Sequence, residues 1–229
     1  NWSTAANWDT GVVPGASDTV TFNATSVQNS TVDASFAGTV AVLNINAGYT
    51  GTITLARSLT VSTTFSQAAG TLDVGSQTLD LNGTFTLSGG TFNANAGTVN
   101  VAGNFTISGG TFTAGTSTVV FDGGAATADV ATNATFYNLT FAPSAGTIKT
   151  VANSDTLIVT NTLALTEGSI NQTPIPAGGS VEAQGGLTHA STFDGGTGLI
   201  AITGAASRTI NLTGGGEMPA VTLNAANVT

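Results

Sequence analysis

Residues 84–92 read TFTLSGGTF, and twenty residues later 104–112 read NFTISGGTF. A fixed interval constrains this chain more than any single motif. Laid out in rows of twenty, residues 61–80, 81–100 and 101–120 align without gaps. Phe65, Phe85 and Phe105 fall in one column, Gly70, Gly90 and Gly110 in another, and Thr71, Thr91 and Thr111 in the next. Within a row, Leu79, Leu81, Phe85 and Leu87 alternate with Thr78, Asp80, Thr84 and Thr86, the period of two that marks half-buried strands. Turns are expected at Gly89-Gly90 and near Asn95–Gly97, where glycine tolerates sharp bends. An antiparallel sandwich would also alternate, and so would a β-sandwich pilin joined by donor strands, but neither demands a constant row length. A row holding three short strands and three turns is one coil of a β-solenoid, each strand pairing in parallel with its equivalent one coil on. The expected fold is therefore all-β, a parallel β-solenoid with coils of about twenty residues. Equivalent residues then stack ~4.8 Å apart, with the phenylalanines as an internal ladder.

The same fifteen-residue template covers 58–72, 78–92, 98–112 and 156–170. A second template, TVVFDGG (118–124) leading to FYNLTF (136–141), is echoed by LIAITGA (199–205) leading to MPAVTL (218–223). Residues 122–135 and 171–180, the latter with Pro174 and Pro176, fit no row and are expected to loop out, since proline cannot donate to a ladder. The organisation expected is a capping segment over 1–40 and coils over 41–229.

Charged residues make up 7 % of the chain, and 12 acidic against 3 basic side chains give a net charge of −9. A nucleic-acid or anionic-membrane partner is not expected of such a surface. With 41 % apolar residues the composition still fits a packed structure. No run approaches the ~20 apolar residues of a membrane helix, so membrane insertion is not expected. There is no cysteine, which removes disulfides and thiolate metal sites.

Catalysis requires convergent polar groups. His189 is the sole histidine, and Arg57, Lys149 and Arg208 are scattered; neither an enzyme nor a cofactor or metal is expected. FDGG occurs at 121–124 and 193–196, so Asp122 and Asp194 are candidate calcium ligands, although an Asp-Gly-Gly turn in which the carboxylate bonds its own backbone accounts for them too. Thr64 and Ser66, Thr84 and Thr86, and Asn104 and Thr106 form outward rows of the kind that could match an ice lattice, a regularity that decays within three coils. Asn-x-Ser/Thr triplets start at Asn1, Asn23, Asn29, Asn82, Asn104, Asn133, Asn138, Asn171, Asn211 and Asn227, and are acceptor sites only where the producing cell N-glycosylates. Trp2 and Trp8 could stack on a sugar, but aromatics at a repeat terminus more commonly seal the first coil.

The opening segment places Trp2, Asn7-Trp8-Asp9, Gly11, Pro14-Gly15 and Asp18 before the strand-like TVTFNAT. Followed by Gly/Thr-rich rows, it resembles the large bacterial surface proteins with β-strand repeats, of the autotransporter-passenger and filamentous-adhesin type. That resemblance implies a secreted, right-handed β-solenoid working at the cell surface. The function expected is a non-enzymatic structural or adhesive one, as a fibre, stalk or sheath component, with carbohydrate binding or processing as the rival and ice binding behind it. Expected partners are copies of the chain itself or further repeats of it, with surface glycans as a second class. The chain opens at Asn1 on a polar run, as a processed or excised segment would. It closes on MPAVTLNAANVT in strand pattern, so Ala220–Thr229 is expected to be covered, by further coils or by a neighbour around Trp2 and Trp8.

Overall fold

A computed structural model describes residues 1–172, 179–204, 209–211 and 215–225. The fold is all-β, a parallel β-solenoid of about nine coils with ~21 residues each. The chain divides into two compact units, one comprising Asn1–Val101 with Ile107–Ser117 and the other Ala102–Thr106 with Thr118–Thr229.

In the first unit one set of strands runs Thr19–Phe22, Thr39–Ile45, Leu59–Gln67, then Thr78–Leu81 with Thr84–Leu87. A five-stranded sheet stacks Ser30–Val32, Thr52–Leu55, Thr71–Asp73, Thr91–Asn93 and Thr111–Thr113. Thr78–Leu81 and Thr84–Leu87 do not fold back on each other as a hairpin. They pair in parallel with the preceding coil, Leu79 opposite Leu59 and Phe85 opposite Phe65. The corner between them forbids anything larger than glycine, because a Cβ on Gly83 would lie 1.7 Å from the Thr63 carbonyl oxygen. The coils also begin earlier than expected. Thr19–Phe22 already pairs with Val42–Ile45, and Ser30–Val32 with Ile53–Leu55, so the capping segment ends near Asp18 rather than at residue 40. The long gap from 23 to 29, rich in Asn, Ser and Thr, hid these short strands from a reading by period.

Alternation determines the interior. In Thr84–Leu87, Phe85 and Leu87 are buried and Thr84 and Thr86 half-buried, and Thr78–Leu81 and Thr98–Val101 repeat the pattern. The rings of Phe65 and Phe85 stack at 5.3 Å, and Phe92 meets both edge-on at 5.8 and 5.1 Å. Phe92 and Phe112 stack in turn at 5.6 Å. On the five-stranded sheet Thr71, Thr91 and Thr111 lie in register. At the corner before them Gly70, Gly90 and Gly110 have φ of 59°, 74° and 73°. A Cβ on Gly90 would sit 2.5 Å from the backbone of Ala69, so the corner column demands glycine for both conformation and space.

The second unit continues with Thr118–Phe121, Ala126–Val130, Asn133–Phe141, Ile148–Val151 and Thr156–Leu165, then Ser169–Gln172, Ser180–Ala183, Gly186–His189, Leu199–Gly204, Ile210–Asn211 and Ala220–Ala225. Residues 122–135 do not loop out as a whole. Ala126–Val130 is a strand paired in parallel with Lys149–Val151, and Asn133 starts another opposite Thr156. Only Ala128 and Val130 of the first strand are buried, too weak an apolar signal to register beside Asp122-Gly123-Gly124. Likewise Asn171–Gln172 and Ser180 lie in strands, while residues 173–178, with both prolines, fall outside the described residues. Phe105 belongs to this unit, buried against Phe121 at 5.4 Å and Phe136 at 5.7 Å. Coil length varies here. Asn138 lies opposite Thr162, and a register irregularity falls between Phe136 and Asn138.

Candidate functional site at the first coil

The residues singled out for chemistry are dispersed over structural tasks. Arg57 donates from one guanidinium nitrogen to the carbonyls of Ala34 and Phe36, fastening a turn. Lys149, 3 % exposed, donates to the Ala102 carbonyl at 2.8 Å. Burial pushes its amine down to about 8, and the neighbouring charge of Asp122 partly restores it. His189 is buried, its Nε2 donates to the Glu217 carbonyl at 3.0 Å, and its ring meets Phe193 edge-on. Each of the three serves a backbone carbonyl, and Arg208 lies outside the described residues. Asp194 accepts from the Gly146 amide at 3.1 Å. Among the described residues no group of three or more His, Cys, Asp or Glu side chains could hold a metal ion. Several triplet asparagines are bound to backbone: the side-chain oxygens of Asn29, Asn104 and Asn171 accept from the amides of Thr52, Thr127 and Thr197. No aromatic side chain among the described residues is fully exposed.

What remains is the start of the ladder, where aromatic and polar groups converge. Trp2 is fully buried, its amide donating to the Thr31 carbonyl and its indole to Ser30 Oγ, both at 2.9 Å. Its ring stacks on Phe22 at 5.9 Å and meets Phe36 edge-on at 5.2 Å and Trp8 at 5.5 Å. The Trp8 indole returns a hydrogen bond to the Trp2 carbonyl at 2.8 Å. Trp2 thus covers the apolar interior beside Phe22 and Phe36. Ser3 secures this cover by donating to Asp33 through both its amide and its hydroxyl, at 3.0 and 2.6 Å. These bonds hold the Asp33 carboxyl down to about 2. Tyr49 packs on Phe22 and donates to the Gln28 carbonyl at 2.8 Å, with burial raising its phenol. The Ser3–Asp33 clamp escaped the sequence reading because its members lie 30 residues apart and share no column.

Trp8 is only partly covered. It borders an open recess of about 750 Å³ with Asp9, Val12 and Pro14 on one side and Thr19–Phe22 on the other. Val12 is 65 % exposed. Asp18 and Phe22 use their carbonyls on the second coil, accepting from Val42 and Asn46. In a parallel ladder alternate residues bond to one neighbour, so the amides and carbonyls of Thr19 and Thr21 are directed to the opposite, outer edge. The arrangement supplies main-chain donors and acceptors, an aromatic flank and two carboxylates, but no nucleophile paired with a base. No family model, curated protein or solved structure is significantly similar to this chain.

Proposed function

We propose that the chain is a structural or adhesive component of the cell surface, a building block of a fibre, stalk or sheath rather than an enzyme. The observation that carries this reading is the pairing itself: coil after coil is joined by parallel main-chain ladders, with an interior of stacked Phe, Leu, Ile and Val. Outward positions are mainly Thr, Ser and Asn, uncharged groups that hydrogen-bond between coils, as Ser66 does to Asn44 and Asn161 to Asn138. A polymer-binding face would array exposed aromatics, whereas the described aromatics point inward or lie half-covered. The ionisable side chains best buried are engaged by backbone groups, which supports a load-carrying role for them. The resemblance of the opening segment to bacterial β-strand-repeat surface proteins points the same way. Electron microscopy of the native material is the test. Filaments or a surface layer are expected, and a population of dispersed monomers showing polysaccharide turnover would overturn the reading.

A further inference from the structure

Asn82 and Gly83 form the chain's single Asn-Gly pair, and they occupy the corner between strands Thr78–Leu81 and Thr84–Leu87. Space alone imposes the glycine. Its φ lies outside the left-handed region, but an added Cβ would meet the Thr63 carbonyl oxygen at 1.7 Å. Asn82 is exposed, and its main-chain amide donates to the Val61 carbonyl at 2.9–3.0 Å spacing typical of the ladder, at 3.0 Å. Its side chain differs from those of many other asparagines. The side-chain oxygens of Asn29, Asn104 and Asn171 each accept from a distant main-chain amide, and that of Asn23 accepts within its own turn. Asn95 and Asn100 donate to the carboxylates of Asp73 and Asp80. Among the described residues, no hydrogen bond engages the Asn82 side chain or the Gly83 amide.

We infer that Asn82–Gly83 is a self-modification site, at which the asparagine converts to aspartate through a cyclic imide. The Gly83 nitrogen gives up its proton and bonds to Cγ of Asn82. The bond from Cγ to the side-chain nitrogen breaks, and that nitrogen leaves with the proton as ammonia. Both groups that the step needs are at hand: a main-chain nitrogen that no carbonyl holds, and a side-chain amide in solvent. Water then opens the ring at one of its two carbonyls. Opening at Cγ restores the main chain and leaves a carboxylate at position 82. Opening at the main-chain carbonyl leaves the isoaspartyl form, whose main chain is longer by a methylene. The corner selects between them. Thr84–Leu87 is held in register with Thr64–Gln67, and the corner that leads into it has no room even for a Cβ, so the longer chain cannot keep the pairing. The carboxylate can, because the corner after Thr118–Phe121 already carries one in Asp122. Each conversion adds a negative charge to the −9 of the chain, at a corner that was neutral.

The intact protein tests it, made in cells that do not N-glycosylate, because Asn82-Gly83-Thr84 is also an acceptor triplet. Held folded at mildly alkaline pH and then mapped by peptide mass spectrometry, it should gain acid at position 82 at least tenfold faster than at Asn29 or Asn104. Aspartate should outnumber isoaspartate there. In the same protein unfolded in urea, isoaspartate should predominate, as it does in unstructured peptides. Asn82→Gln provides a second arm. It should keep the unfolding midpoint and abolish the slowly formed acidic species on ion exchange. Conversion at 82 no faster than at Asn29 or Asn104, or an acidic species that survives in Asn82→Gln, would overturn the site. Isoaspartate predominating in the folded protein would overturn the selection by the corner.

Discussion

Phe85, in the first unit, and Lys149, in the second, both point into the coil, yet they fill it by different means. Phe85 stacks on its own kind at Phe65, whereas Lys149 stretches to the carbonyl of Ala102, 47 residues away. The contrast extends to the units as wholes. Among the buried polar side chains of the described residues, Gln67 and Ser117 of the first unit are neutral, while the second has the ionisable Lys149, Asp155 and His189 beside the neutral Ser169. Coil length tracks this only over the rows from Thr71 to Thr111, because earlier in the first unit Val20 lies opposite Leu43 and Leu43 opposite Phe65, with a register shift between Val40 and Val42. Where rows are a constant twenty, as from Thr71 to Thr91 to Thr111, corners superpose and each backbone group meets its equivalent. Where coils lengthen, as from Asn138 to Thr162 and on to Gly186, corners shift and leave main-chain groups that need other partners. The buried ionisable groups supply them: Lys149 to Ala102, Asp155 to the amide of Val130 at 2.7 Å, and His189 to Glu217. Gln67 does the same with a neutral amide, donating to the carbonyls of Ala69, Gly70 and Thr91. In both units, then, buried polar side chains serve main-chain carbonyls and amides that the ladders leave over, and in the second unit those side chains are ionisable.

The sharpest way to break the comparison is to remove one member of the aromatic column. Phe85→Ala should destabilise the first unit by about 3–5 kcal/mol, the usual range for deleting a buried ring. An unchanged denaturation midpoint would show that the column contributes nothing. Glycine corners give the next largest effect. Gly90→Ala meets both a left-handed φ and the Ala69 backbone, whereas Gly146, at φ 70°, has nothing within 4 Å of an added Cβ. Gly146→Ala should cost only the ~1–2 kcal/mol of the left-handed conformation, and Gly90→Ala clearly more. Equal losses in thermal melts would mean that the twenty-residue row imposes no special crowding.

The pH dependence separates the units further. The Lys149 amine is held below its ordinary 10.5, at about 8, so between those values the unfolded chain binds the extra proton. Stability of the second unit should therefore rise with pH across that window. Lys149→Met should flatten the rise, and a profile identical to the parent would show the amine to be solvated. The smallest effect belongs to the Trp2 cover. Asp33, held at about 2 against an ordinary 3.8, contributes stability that is complete above 3.8 and fades as pH falls to about 2. Ser3→Ala should return the Asp33 titration, followed by NMR, toward its ordinary value. A titration that stays put would dismiss Ser3 as its cause.

Much of the first unit was legible because period and alternation are local signals repeated often enough to reinforce each other. Phe65 with Phe85, the glycine corners and the Thr71–Thr91–Thr111 column all follow from rows of equal length. Strand Ala126–Val130 was not legible, since its inward residues are Ala128 and Val130 and its coil is longer than the row. Trp2 was recognisable as a cover from its place ahead of the coils, but its fastening by Asp33 was not, nor was the turn held by Arg57 or the carbonyl bound by Lys149. Those bonds join residues 21 to 47 positions apart. Where no column repeats a pair, one copy of the sequence carries no sign that the pair exists.

Native-state hydrogen exchange, resolved to single amides at neutral pH, tests the central contrast most directly. If the constant rows of the first unit bury neutral groups and the second unit buries ionisable ones, the amides of 84–87, 91–93 and 98–101 should exchange slowest. Those of 126–130 and 148–151 should open at distinctly lower free energy, because an interior charge must be sustained there. Equal or greater protection around Lys149 than around Phe85 would contradict the account.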